Sequence, residues 1–165
     1  MNLNFLGRLD LKILLMRHGE AELSAKSDAG RNLTARGERQ VLACANQANA
    51  SQNDSLTVVE QIIASPFVRA EQTAVLVQSM FSPLIPIETW SEITPSGSKE
   101  VVLDKLSKSK AAVLMLVTHQ PFIGKFIFYL TGDEIRMGTA SIVSIQMSAM
   151  TARCGEVDWV LHSES

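Results

Sequence analysis

Residues 11–22 read Leu-Lys-Ile-Leu-Leu-Met-Arg-His-Gly-Glu-Ala-Glu. An apolar run of strand length stops abruptly at Arg17, His18 and Gly19. A short apolar run with a flanking glycine predicts a buried strand rather than a helix. Such a strand delivers an Arg-His pair to its own C-terminal end. Gly19 then allows a sharp turn and a close approach of backbone N–H groups to a ligand. In open α/β sheets, ligands gather at the C-terminal ends of the strands. Either the pair faces a ligand, or Arg17 and His18 simply cap a strand in solvent. The rest of the chain decides between the two.

The chain has 165 residues, of which 46% are apolar and 19% charged. That suffices for one domain with one sizeable core and argues against disorder. The net charge is −2, and Lys and Arg form no cluster. Neither nucleic-acid nor anionic-membrane binding is supported. Cys44 and Cys154 lack motif spacing, so a reducing, cytoplasmic compartment is expected. Residues 1–10 lack the long apolar stretch of a signal peptide. They read as a short extension ahead of a single domain, 11–165. The run after them contains Lys12 and is far too short to span a bilayer.

Downstream, strand and helix signals alternate. Residues 25–32 are polar and read as a loop. Thr34 is the expected N-cap of a helix through about Ala48, with Cys44 as a small core residue. A strand is expected over 58–64. Ser65-Pro66 then reads as a helix start, Ser as cap and Pro at the first helical position. Phe67, Ala70, Ala74, Val77 and Phe81 make one apolar stripe. Arg69 lies off that stripe in the first turn, so the core does not explain it. A short strand over 85–90, a loop over 91–97 and a helix over 98–107 follow. Residues 111–118, Ala-Ala-Val-Leu-Met-Leu-Val-Thr, are apolar on both faces, as in a parallel strand covered by helices on both sides. That strand ends at His119. Pro121 starts the next helix, and Gly132 stands just past its end. Residues 141–147 and 157–162 read as two strands with no room for a crossover helix, hence an antiparallel pair near the C-terminal edge. The expected fold is a three-layer α/β/α sandwich around a mostly parallel sheet.

Three strands now end alike: at Arg17 and His18, at the helix carrying Arg69, and at His119. If the sheet is parallel, two arginines and two histidines share one edge near two helix N-termini. That arrangement suits an anion, and phosphate best. A metal site is the competing reading of the histidines. No third His or Cys is spaced nearby, and two guanidiniums would repel a divalent cation. His162 reads as a surface residue.

With these residues in hand, Leu14-Leu15-Met16-Arg17-His18-Gly19-Glu20 resembles the Arg-His-Gly motif of the histidine phosphatase superfamily, which also contains the cofactor-dependent phosphoglycerate mutases. Within it the chain resembles the SixA-type phosphohistidine phosphatases of bacteria. The resemblance runs from Leu14 to about Trp159. It is carried also by Asp28-Ala-Gly-Arg-Asn-Leu-Thr34, by Ser65-Pro-Phe-Val-Arg-Ala-Glu-Gln-Thr73, by Glu92-Ile-Thr-Pro-Ser-Gly97 and by Thr118-His-Gln-Pro121.

The resemblance implies that His18 is the nucleophile, forming a covalent phosphohistidine, and that Arg17, Arg69 and His119 hold the phosphoryl oxygens. Glu92 matches the superfamily's general acid; the alternative is an exposed loop carboxylate without a role. A phosphohistidine substrate can leave as a neutral imidazole and needs such an acid less than a phosphate ester does. The chain departs from the mutases in carrying Ser24 where they have Asn. Its short connections also leave no room for their lids. An open site suits a phosphoryl group presented on a protein. The resemblance therefore implies a phosphohistidine phosphatase acting on a histidine-containing phosphotransfer or signalling protein, without metal or organic cofactor. A small-molecule phosphomonoester phosphatase is the alternative, and a non-catalytic phosphate-binding module is a further one. Asp28 and Arg31 either shape the rim of the site or are solvated loop charges.

Overall fold

The computed structural model describes residues 11–52 and 56–163; the extension expected at 1–10 lies outside them. The opening run forms β1, Leu11–Arg17. Side chains alternate across a strand, so a strand apolar at successive positions needs cover on both faces. Ile13 and Leu15 pack into one cluster and Leu14 and Met16 into another. All four are fully buried, each contributing about 2 kcal/mol relative to exposure.

The cover comes from four helices among the described residues. On the Leu14 face lie α1, Ala35–Ser51, and α2, Val68–Phe81. On the Ile13 face lie α3, Lys99–Ser107, and α4, Phe122–Thr131. The remaining strands are β2, Gln61–Ala64; β3, Ile87–Thr89; β4, Val113–Thr118; β5, Ile142–Met147; and β6, Gly155–Leu161. Their order in the sheet is β3-β2-β4-β1-β5-β6. The first four are mutually parallel, while β5 runs antiparallel to both β1 and β6. This is the expected three-layer α/β/α fold with its antiparallel C-terminal edge.

Local signals hold at several ends. Thr34 caps α1, its Oγ1 accepting from the Gly37 N–H at 3.0 Å. Gly132 closes α4 in the left-handed region, φ 86°, and its N–H bonds the Phe128 carbonyl. Cys44 is buried in α1, and burial pushes its thiol up to about 11.

The start of α2 differs from expectation. It begins at Val68, and Phe67 precedes it without a side-chain cap. Ser65 lies outside the helix, and its N–H continues the sheet ladder to the Val117 carbonyl. Its hydroxyl accepts from the Phe67 N–H at 3.4 Å and also meets a residue of another element. The ends of β3, β4, β5 and β6 also differ from the reading by one or two residues, and β2 starts three residues later than expected, at Gln61; assigned ends commonly vary by one or two residues.

The pairing of β2, β4 and β1 fixes the site. Arg17 lies opposite Thr118, and Ala64 opposite Val117. The residues that follow these strands, His18, His119 and Ser65, therefore emerge side by side at one edge.

Candidate active site

β1 ends where the backbone has almost no room. A Cβ on Gly19 would stand 2.5 Å from the Gly37 carbonyl oxygen and 2.9 Å from Val41 Cγ2. Glycine at 19 lets the chain turn tightly against the first turn of α1. The Gly19 N–H donates to Thr73 Oγ1 at 3.2 Å, and the Thr73 hydroxyl donates to the Arg69 carbonyl at 2.7 Å. The turn after β1 is thereby tied to the start of α2.

His18 is 7% exposed. Its Nδ1 lies 2.7 Å from the Gly19 carbonyl, and its Nε2 lies 3.2 Å from Arg69 Nε. A guanidinium nitrogen can only donate. Nε2 is therefore the acceptor, and the ring proton sits on Nδ1, donated to the Gly19 oxygen. Burial and the guanidiniums of Arg69 and Arg17 push the imidazole down to about 4, against the opposing Gly19 bond. At neutral pH the ring is uncharged, and the Nε2 lone pair is unprotonated and accepts from Arg69 Nε.

Arg69, in the first turn of α2, is buried. Its Nη1 donates to the Asp28 carbonyl at 2.6 Å and its Nη2 to Asp28 Oδ2 at 3.2 Å. The guanidinium also stacks 5.1 Å from the Phe67 ring centroid. Asp28 is held below the usual carboxylate range, chiefly by Arg31. Both readings of this loop pair thus meet in one arrangement: Asp28 and Arg31 are solvent-reachable, and Asp28 braces Arg69.

Arg17 donates through Nη1 to the Met137 carbonyl at 3.1 Å, while its buried Nε has no protein partner. Its pKa is lowered by burial and by Arg69. The ring of His119 lies 4.9 Å from that of His18 and 5.0 Å from that of Phe67. Its Nε2 is 2.7 Å from Ser65 Oγ, and its buried Nδ1 has no protein partner. Burial first, then His18 and Arg69, push His119 down to about 3.

Glu92 lies in a single turn of 3-10 helix, Ser91–Ile93. That turn is moored to the end of β4 by the Thr118 hydroxyl, which donates to the Ile93 carbonyl. The Glu92 carboxylate receives the Lys105 ammonium at 3.2 and 3.3 Å and bonds none of the four residues above. Its own backbone N–H and then Lys105 hold it below the usual carboxylate range. His162 is exposed, with Nδ1 3.3 Å from Ser141 Oγ.

The structure thus gathers Arg17, His18, Arg69 and His119 at one edge and leaves Glu92 in an ion pair. It adds three participants. Asp28 braces Arg69, Thr73 ties the Gly19 turn, and Ser65 meets His119. The four-residue spacing of Arg69 and Thr73 on one helix was the available signal for the second. Nothing local marked Ser65, whose partner is 54 residues away.

Chemically, two cations and the neutral imidazole of His119 surround the nucleophilic nitrogen of His18. Two buried donor-capable atoms, Arg17 Nε and His119 Nδ1, lack protein partners. Buried polar atoms rarely stay unpaired without a ligand or water to meet them, and an oxyanion such as phosphate fits this set.

Known proteins share this architecture. The model of the histidine phosphatase superfamily (branch 1) matches residues 13–95. The phosphohistidine phosphatase SixA homolog of Haemophilus influenzae is 34% identical over 131 residues, 75% of this chain and 79% of that protein. Phosphohistidine phosphatase SixA of Escherichia coli is 30% identical over 138 residues, 81% of this chain and 83% of that protein. A solved structure of the protein histidine phosphatase SixA complexed with tungstate superposes with a TM-score of 0.81 at 27% identity, covering 92% of this chain and 97% of that one. The Arg-His-Gly turn, the buried Arg69 and the strand-terminal His119 lie on a chain that belongs to the histidine phosphatase superfamily.

Proposed function

We propose that this chain is a cytoplasmic protein phosphohistidine phosphatase that works through a covalent phosphohistidine on His18. The observation that carries the reading is the placement of His18: Nδ1 meets the Gly19 carbonyl at 2.7 Å and Nε2 accepts from Arg69 Nε at 3.2 Å, which puts the ring proton on Nδ1 and the lone pair on Nε2. In the first step Nε2 attacks phosphorus. The P–Nε2 bond forms, the P–N bond of the substrate breaks, and its electron pair returns to the substrate imidazole. That ring leaves uncharged when its other nitrogen carries a proton. In the second step water attacks phosphorus, and Nε2 departs with its lone pair restored. The arginines and His119 stabilise charge on the equatorial oxygens, the main task in phosphoryl transfer. Arg69 Nε, bonded to His18 in the free site, transfers that bond to an arriving phosphoryl oxygen.

Two observations support phosphohistidine over a phosphate ester. Glu92 is bonded through both carboxylate oxygens to Lys105, and its own backbone N–H and then Lys105 hold it below the usual carboxylate range, which disfavours its giving a proton to an alkoxide. The curated relatives at 34% and 30% identity are named for phosphohistidine. We infer that the substrate is the phosphorylated histidine of a phosphotransfer or signalling protein. A paired assay without added metal tests this, with a histidine-phosphorylated phosphotransfer domain in one arm and small phosphate esters in the other. Rapid, His18-dependent loss of label from the protein with slow ester turnover is expected. Ester turnover with an untouched phosphoprotein would refute the reading.

A further inference from the structure

We propose that Ser65 is a positioning residue: its hydroxyl fixes the tautomer of His119, so that His119 offers an Nδ1–H donor to a phosphoryl oxygen. The proposal rests on the reading of this site as a phosphoryl site, but the tautomer itself is a property of the free protein.

The argument is one of donors and acceptors. Ser65 is fully buried, and its N–H is fixed to the Val117 carbonyl. Its Oγ has two neighbours: the Phe67 N–H donates to it at 3.4 Å, and His119 Nε2 lies at 2.7 Å. A backbone N–H can only donate, so the oxygen already serves as an acceptor. The serine proton needs its own acceptor, and among the described residues the hydroxyl's other partner is His119 Nε2. If Nε2 carried the ring proton instead, two donors would point at Oγ. The buried serine proton and the Nδ1 lone pair would then both be wasted. With the serine donating to Nε2, hydroxyl and ring are both satisfied on that side. The ring proton then resides on Nδ1, the buried atom that has no protein partner.

The choice matters because the two tautomers do opposite things. A neutral imidazole with Nδ1–H donates to an anionic oxygen, whereas one with a bare Nδ1 repels it. His119 is kept uncharged by burial and by His18 and Arg69, so its single proton must be on the correct nitrogen. A hydrogen bond at the other nitrogen is the usual way a protein sets that. The rings of His18 and Phe67, each about 5 Å away, limit rotation.

The test is long-range proton–nitrogen correlation NMR on the nitrogen-labelled protein. His119→Ala and His18→Ala spectra assign the three histidines. Wild-type His119 should show Nδ1 in the protonated range and Nε2 in the unprotonated range. Ser65→Ala should lose that preference and weaken tungstate binding about tenfold, the worth of one oriented hydrogen bond. An Nε2-protonated His119 in the wild type would overturn the proposal, whatever the protein's activity. So would a Ser65→Ala protein with unchanged tautomer and unchanged tungstate affinity. Absence of phosphatase activity with the tautomer as stated would instead count against the proposed reaction.

Discussion

Acidification should destabilise this protein through the nucleophile itself. His18 is buried and uncharged, with its imidazole near 4, whereas an unfolded histidine titrates near ~6.5. The unfolded chain therefore binds more protons between these values. Stability from this source is full above about pH 6.5 and is lost as pH falls through about 4. The gap is worth about 3 kcal/mol in all, of which roughly 2.5 kcal/mol is gone by about pH 4.5. His119, pushed down to about 3 by burial and by His18 and Arg69, acts in the same direction. Urea unfolding at about pH 7 and about pH 4.5 measures the loss. The His18→Asn variant isolates the histidine from the carboxylates, since it keeps a polar side chain that does not titrate. Wild type should lose roughly 2 kcal/mol more than the variant between the two pH values. Equal losses would refute the claim that His18 is buried in its neutral form.

Other outcomes follow from single contacts. Gly19→Ala places a Cβ 2.5 Å from the Gly37 carbonyl oxygen; displacement of the His18 turn should cut kcat about a hundredfold or more with the fold retained by circular dichroism. Arg69→Lys keeps a charge but loses the planar fork that reaches His18, the Asp28 carbonyl and Asp28 Oδ2, so kcat/KM should fall about a hundredfold and tungstate affinity with it. Asp28→Asn removes a bridge that is 60% exposed at the carboxylate; stability should change by less than about 1 kcal/mol and kcat/KM by about two- to fivefold. Glu92→Gln breaks the pair with Lys105 and should leave phosphohistidine turnover within about threefold of wild type, as expected for a leaving group that needs no acid.

Much of this was legible because the sheet announces itself. A strand such as 113–118, apolar at successive positions, has to be covered on both faces, and that requirement alone yields three layers. Arg17, His18 and His119 were legible as strand-terminal residues, and Arg69 because it stood off an apolar stripe. Ser65 was misread as a helix cap because the Ser-Pro pattern is local, whereas the partner of its hydroxyl sits at the end of another strand. Asp28 was ambiguous for a similar reason: a loop aspartate gains meaning only when its neighbour across the fold is known. The pairing of Glu92 with Lys105 joins a 3-10 turn to α3, and no periodicity encodes the rotamers that bring them together.

The central claim is that His18 carries the phosphoryl group between two displacements. Rapid acid-free quenching of the reaction with a radiolabelled phosphohistidine protein, followed by peptide mapping, tests it most directly. The account predicts a transient label on the peptide containing His18, stable to base and labile to acid, and no label or turnover in His18→Ala. Turnover at the wild-type rate by His18→Ala, or label on another residue, would contradict it.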